Sequence, residues 1–377
     1  METLPLITGI VLSLTGLFYA GLITMFTYGW YRRQRNIKTK ALSPGIKVSV
    51  IIAARNEENR ITELLADLVS QDYPGELIEV IIVDDRSSDG TAKLVTDFIS
   101  SRKLLRFFLV NSEEHTGDGK KAAIASGIAK STGDLICLTD AFCRVGPGWV
   151  SAMAANFEDE AIMMAFSLVF YFDRKGLTNR FQSLDFAGLT ASGAGAALAG
   201  HPFMCNGAGL AYRKSAFCQV KGFEGIERFI SGDDVFLMHK MKKEYGGRAI
   251  VFCRDKDSLV QTNPAPGIRA FINQRIRWAS KSKGYSDPIA VTAAIVVFLF
   301  NLSLSATFIA GFFFPQLFLL FAGFLLLKSF IDLPLMWCVT GFTGSRKLMR
   351  WYFPFQAVYP FYILLAGGLS LFKRRKW

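Results

Sequence analysis

Three apolar runs in the sequence end in carboxylate or amide groups. Asn56-Glu57 closes IKVSVIIAARNEE (46–58), Asp84-Asp85 closes LIEVIIVDD (77–85), and Asp140 closes DLICLTD (134–140). Such carboxylates accept hydrogen bonds from a uracil ring and from ribose hydroxyls. A diphosphate bound beside them also needs cations: a metal ion, Lys120 or Lys121, or arginines from elsewhere. Two later clusters carry reactive groups of other kinds, Gly232-Asp233-Asp234 and Gln274-Arg275-Ile276-Arg277-Trp278. Each cluster also has a purely local reading. The stretch 85–90, DRSSDG, suits a turn and a helix N-cap. The aspartate pair suits the first turn of a helix. The arginine-tryptophan cluster suits a basic amphipathic helix lying on headgroups, with Trp278 in the interfacial belt. Three tips of one kind weigh against the turn reading as a full account, and the local and chemical roles are compatible.

Elements that would position these groups alternate along the chain. ENRITELLADLVSQ places Ile61, Leu64, Leu65, Leu68 and Val69 on one helical face. Residues 91–101 and 120–130 also read as helices, and LRFFLV (105–110) reads as a third strand between them. Continuous apolar strands alternating with helices predict an α/β fold with a mostly parallel sheet covered on both faces. In such sheets ligands bind beyond the carboxyl ends of the strands, so the three polar tips should converge.

The composition places this body at a membrane. Apolar residues make up 51% of the 377, and mean hydropathy is +0.29. No charge occurs in 3–31, 288–327 or 351–372. A bilayer core needs about 20 helical residues. The chain therefore divides into a transmembrane helix at 1–31, a soluble body at 32–287, and a membrane region of two or three helices at 288–377. The middle apolar stretch would turn near Pro315-Gln316. The first stretch is too long for the core of a cleaved signal peptide, and its positive charges follow it: Arg32, Arg33, Arg35, Lys38 and Lys40. Positive flanks stay in the cytoplasm, which puts the body there, with Arg275, Arg277, Lys281 and Lys283 in agreement. Arg346, Lys347 and Arg350 mark a cytoplasmic loop. The tail Lys373-Arg374-Arg375-Lys376 conflicts with a complete last span, unless the Pro354, Pro360 and Gly367-Gly368 segment re-enters or lies in the interface. Lys328 and Asp332, four apart in an apolar segment, mark either a functional site or a mutual salt bridge.

The net charge of +12 lies largely beside these spans and favours anionic headgroups. No basic-aromatic stripe runs through the body, so nucleic acid is not an expected partner. Six cysteines and three histidines are scattered without a C-x-x-C pair, which argues against zinc.

Five motifs in order make the chain specific: VSVIIAARNEE, VDDRSSDGT, GKKAAIASGIAKSTGDLICLTDAFC, the stretch 205–241 containing SGDD, and QRIRW just before a span. Together they closely resemble the family 2 glycosyltransferases, in particular the membrane-bound branch with cellulose, hyaluronan and poly-N-acetylglucosamine synthases. The likeness runs from about residue 47 to 285. It implies a Rossmann-like GT-A fold, a nucleotide-sugar donor that is usually a UDP-sugar, and inversion at the anomeric carbon. By that likeness Ala54, Asn56 and Glu57 line the uridine site with Asp84 or Asp85. Asp140 faces the ribose and diphosphate, where on charge alone Lys120 can also serve. Asp234, beside Asp233, is the general base, and Gln274, Arg277 and Trp278 border acceptor and diphosphate; on charge alone, Arg275 and Arg277 can together hold the diphosphate. The family places a second, metal-binding Asp where this chain has Phe142. Three outcomes stay open. Mg²⁺ or Mn²⁺ can be held by Asp140, diphosphate oxygens and water. Cations such as Lys120 can replace the metal. Or the protein binds nucleotide without turnover.

The expected acceptor is a lipid-linked or polysaccharide hydroxyl at the cytoplasmic face of a bacterial inner membrane. Three or four spans wall a polymer pore poorly, so a lipid acceptor, or polymer export shared with partner proteins, fits better. A membrane-anchored pseudo-enzyme that scaffolds a polysaccharide complex is the rival reading. A nucleotidyltransferase is a weaker one, since it would need more metal carboxylates.

Overall fold

The computed structural model describes residues 3–32, 45–103, 106–111, 119–227, 229 and 231–372. Arg33, Arg35, Lys38 and Lys40 and the basic tail 373–376 lie outside the described residues. A long helix, α1 (Thr3–Tyr31), precedes an alternation of β1 (Val48–Ala54), α2 (Ile61–Val69), β2 (Ile78–Asp84), α3 (Thr91–Arg102), β3 (Phe107–Val110), α4 (Lys120–Lys130) and β4 (Leu135–Leu138). Then come β5 (Arg144–Val145), α5 (Trp149–Ala154), β6 (Met164–Phe166), β7 (Val169–Tyr171), α6 (Leu177–Leu198), β8 (Leu210–Arg213), α7 (Lys214–Gln219) and α8 (Asp233–Tyr245). The chain continues through β9 (Ile250–Phe252), β10 (Val260–Thr262), α9 (Gly267–Ser280), α10 (Pro288–Gly311), α11 (Gln316–Phe342) and α12 (Tyr352–Phe372).

Seven strands form the main sheet in the order β3-β2-β1-β4-β8-β6-β9. The first four are mutually parallel, as the alternation predicts. Strand β8 enters antiparallel between β4 and β6. A small second sheet runs β5-β10-β7. Successive side chains of a strand point to opposite faces, and β1 shows both faces filled. Ile51 joins a core with α4 residues Ala123 and Ile124. Val50 and Ile52 join a second core with α2 residues Leu64 and Leu65.

The first of these cores does not stop at the sheet. It continues through α6 into α1, α10 and α11, so sheet and apolar helices share one interior. The closest approach is between α1 and α6. A Cβ added at Gly29 would lie 2.0 Å from the Gly195 carbonyl oxygen, and one at Gly195 would lie 2.4 Å from that of Phe26. Only glycine lets two helix backbones meet that closely. Trp30 Nε1 also donates to the Ala191 carbonyl at 3.0 Å.

Among the described residues three helices are long and apolar enough to cross a membrane: α1 over Pro5–Tyr31, α10 and α11. The turn between α10 and α11 falls at Pro315, as expected. Helix α12 is equally free of charge and carries Gln356, Pro360 and three tyrosines. It packs against α9 and α10.

Candidate active site

The polar tips converge on one cavity of about 2180 Å³. Its outer wall holds Ala54, Asn56, Glu57, Asp85 and Asp140 from three parallel strands. Asn56 has left-handed backbone, φ 57°, which asparagine tolerates better than most residues. Its carboxamide oxygen accepts from the Ser88 amide at 2.8 Å, and the Glu57 amide donates to Thr91 Oγ1 at 2.8 Å. The first tip thus braces the loop after β2. Burial raises the pKa of Glu57, against the pull of Arg60. The two aspartates of the second tip divide the work. Asp85 lines the cavity and lies 3.9 Å from Arg55. Asp84 is buried and accepts from the Ser87 amide at 3.3 Å.

At the third tip Asp140 Oδ1 is ion-paired with Lys120 Nζ, at the start of α4. Burial works against the Lys120 charge, but Asp140 and then Asp233 and Asp234 hold its pKa well above the ordinary range. Lys121 turns the other way and donates to the carbonyls of Ile226 and Phe229. Phe142 also lines the cavity and packs against the second core.

The aspartate pair sits on the first turn of α8, entered through Gly232 at φ 99°, a conformation that favours glycine. Asp234 is the better anchored. Its Oδ2 accepts from the Gly207 amide at 2.9 Å and its Oδ1 from the Val235 amide at 2.8 Å. Lys281 Nζ stands 3.9 Å from Oδ1. Asp233 lines the same wall.

Helix α9 brings its motif to the cavity but splits the two arginines. Residues two apart on a helix point about 200° apart. Burial lowers the pKa of Arg277, opposed by the charges of Asp140, Asp233 and Asp234, so it stands on the carboxylate side. Arg275 points away. Its Nε donates to Asp185 Oδ2 of α6 at 2.6 Å, and its Nη1 to Gln274 Oε1 at 3.0 Å. Burial disfavours its charge, yet Asp185 holds its pKa above the ordinary range. The Trp278 ring lies 4.2 Å from the guanidinium and 5.6 Å from the Phe186 ring. Of the two arginines expected at one diphosphate, Arg277 faces the carboxylates and Arg275 is paired with Asp185.

Among the described residues no group of three His, Cys, Asp or Glu is placed to hold a metal. The donor set fits a divalent cation only with one protein carboxylate, Asp140, and oxygens from a diphosphate and water. Mg²⁺ commonly binds that way.

Sequence reasoning did not assign Lys281 or Asp185 to the site. Lys281 follows Arg277 by one helical turn, a spacing that was readable. Asp185 lies in an unremarkable helix, and nothing local marks it.

Comparison with known proteins gives the family. Residues 49–220 match glycosyl transferase family 2, and residues 135–369 match glycosyl transferase family group 2. The chain belongs to glycosyl transferase family group 2. A probable glycosyltransferase YdaM of Bacillus subtilis is 40% identical over 95 residues, 25% of this chain and 22% of that protein. An N-acetylglucosaminyltransferase of Mesorhizobium japonicum is 28% identical over 249 residues, 63% of this chain and 56% of that one. The chain thus spans from a fifth to about half the length of these relatives. A mannosyltransferase of Pyrobaculum calidifontis, solved with GDP-Man and Mn²⁺, superposes with a TM-score of 0.63 at 20% identity. It covers 98% of this chain and 99% of that one. Family and fold agree with the resemblance carried by the five motifs.

Proposed function

We propose that the protein is an inverting glycosyltransferase. It moves a sugar from a nucleotide-sugar, of the UDP-sugar type, to a hydroxyl of a lipid-linked or polysaccharide acceptor at the cytoplasmic membrane face. One observation carries the reading: a single cavity runs from the strand tips past Asp234 to the apolar helices. The donor's base and ribose lie against Asn56, Glu57 and Asp85. Its diphosphate lies between Lys120 and Arg277, whose positive charge stabilises the leaving group. The acceptor oxygen attacks C1 as the bond from C1 to the diphosphate oxygen breaks on the opposite face. Asp234 takes the acceptor proton. The Gly207 amide keeps that carboxylate aimed, and Trp278 offers a face for a sugar ring. A divalent cation on Asp140 would neutralise further diphosphate charge.

Positive flanks orient the assembly. Arg32 after α1 and Arg346, Lys347 and Arg350 after α11 support a cytoplasmic side for both helix ends.

Asp234→Asn tests the assignment in purified protein in detergent, reading UDP release across a donor screen. Turnover should fall by about 10²–10⁴-fold, the worth of a positioned general base, with UDP affinity unchanged. Full activity in this variant sinks the reading. The rival, a nucleotide-binding scaffold, predicts UDP binding without release by the unmodified protein.

A further inference from the structure

The inner arm of the cavity carries a charge pattern that the donor chemistry does not use. Beyond Trp278 the wall is formed by α1, α6 and α9–α12, with apolar side chains such as Phe26, Ala293, Phe298 and Ala366. Two ion pairs interrupt it. Arg275 pairs with Asp185 at 2.6 Å, with both side chains buried. Lys328 pairs with Asp332 at 2.7 Å, and its side chain is 1% exposed. The two are built alike. A tyrosine hydroxyl completes each carboxylate: Tyr362 donates to Asp185 at 3.3 Å, and Tyr19 to Asp332 at 2.8 Å. An amide completes each cation: Gln274 accepts from Arg275, and Gln356 accepts from Lys328 at 2.8 Å.

Each pair is internally neutral, and the arm therefore offers hydrogen-bonding groups without a surplus charge. A phosphate brought there would lose its water and meet two carboxylates as well as two cations already ion-paired; Arg275 Nη2, buried without a hydrogen-bond partner among the described residues, leaves one donor for an uncharged hydroxyl. The reaction end points the same way. The charges of Lys120 and Arg277 already face Asp140, Asp233 and Asp234, and the donor diphosphate would draw on the same cations. A phosphate nucleophile is already ionised and gains nothing from a neighbouring base, whereas a hydroxyl needs one.

We infer that the inner arm is an acceptor site for an uncharged, hydroxyl-bearing lipid. Its alkyl chains lie among the apolar helices, and its hydroxyl headgroup is positioned by the Arg275–Asp185 and Lys328–Asp332 pairs. This inference rests on the proposed transfer to a hydroxyl at Asp234, and it narrows the acceptor class.

The test uses the full chain in mild detergent. Native mass spectrometry reads which lipid is retained from an equimolar mixture of dioleoylglycerol and undecaprenyl phosphate. Calorimetry with UDP reads the donor end separately. Dioleoylglycerol should be retained at least about tenfold over the phosphate, a difference of roughly 1.4 kcal/mol. Ala293→Phe and Ala366→Phe fill the arm from two different helices, so a folding defect in one leaves the other to decide. Each should reduce dioleoylglycerol retention with UDP affinity intact. Asp332→Asn leaves Lys328 without its counter-charge and should raise retention of undecaprenyl phosphate. Preferential retention of the phosphate lipid by the unmodified protein overturns the charge argument. Retention of dioleoylglycerol that both filled variants preserve overturns the site. Loss of UDP binding in the unmodified protein would strike the donor reading instead.

Discussion

Arg277 and Arg275 are two residues apart on α9 and serve opposite ends of the cavity. At the outer end, carboxylates from three strand tips and α8 surround the cations, and the site is open enough to admit a charged nucleotide. At the inner end each charge is paired and buried, each carboxylate also accepts from a tyrosine, and each cation also donates to a glutamine. The difference separates groups poised for a ligand from groups that must be satisfied when the ligand is absent. It can be broken with two alanines. Arg277→Ala should cost about 10²–10³-fold in UDP-release rate, the range for removing one transition-state donor, with little change in thermal unfolding. Arg275→Ala should show its largest effect in stability, with UDP affinity kept. Stranding the buried Asp185 carboxylate costs about 3–5 kcal/mol of stability, read as a fall in the unfolding midpoint. If both variants lose rate and neither loses stability, the two ends are one site and the comparison fails.

The two ends also differ in how far the sequence displays them. Parallel β-strands deliver their carboxyl ends to a common rim. Reading Asn56, Asp85 and Asp140 as strand-terminal was therefore enough to bring them together. Asp234 and Arg277 were legible because short motifs hold them. The inner arm has no such logic. Asp185, Tyr362 and Arg275 meet only because α6, α12 and α9 pack together, and packing partners of helices are not written locally. Tyr19 reaches Asp332 across 313 positions. The Lys328–Asp332 pair was visible as an i,i+4 spacing, but its four-group network was not. The split between Asp84 and Asp85 was also hidden, since adjacent residues at a strand end differ only in the face they take. The antiparallel entry of β8 between β4 and β6 likewise left no periodic signal in so short a strand.

A second variant sharpens the outer end by itself. Phe142 stands beside Asp140 where a carboxylate would complete a metal site. Phe142→Asp should tighten Mn²⁺ binding in the presence of UDP by about tenfold, since added ligand charge raises divalent affinity. Titration of Mn²⁺ followed by electron paramagnetic resonance reads the free ion directly. An unchanged affinity would mean that any metal is held away from this tip.

The smallest effect expected concerns acid, and it separates the ends by a different property. His239 lies on α8, five residues after Asp234, and is buried. Its Nε2 donates to the Phe203 carbonyl at 2.9 Å, while Nδ1 has no hydrogen-bond partner among the described residues. A second proton would sit on Nδ1 as an unsatisfied buried donor. Burial accordingly lowers the His239 pKa, with the Phe203 carbonyl and Asp287 opposing and Lys242 assisting. With the folded pKa below the unfolded value of about 6.5, the unfolded chain takes up a proton first as pH falls. Stability is full above that value and declines below it, by at most about 1.4 kcal/mol per pH unit for one group. The decline stops once the folded pKa is passed. Unfolding midpoints at pH 7.5 and 5.5 measure this, and His239→Gln, which keeps an amide donor for Phe203, should flatten the difference. Because α8 carries Asp233 and Asp234, the loosening should appear first as slower UDP release, while lipid retention in the inner arm, whose wall α8 does not form, should hold.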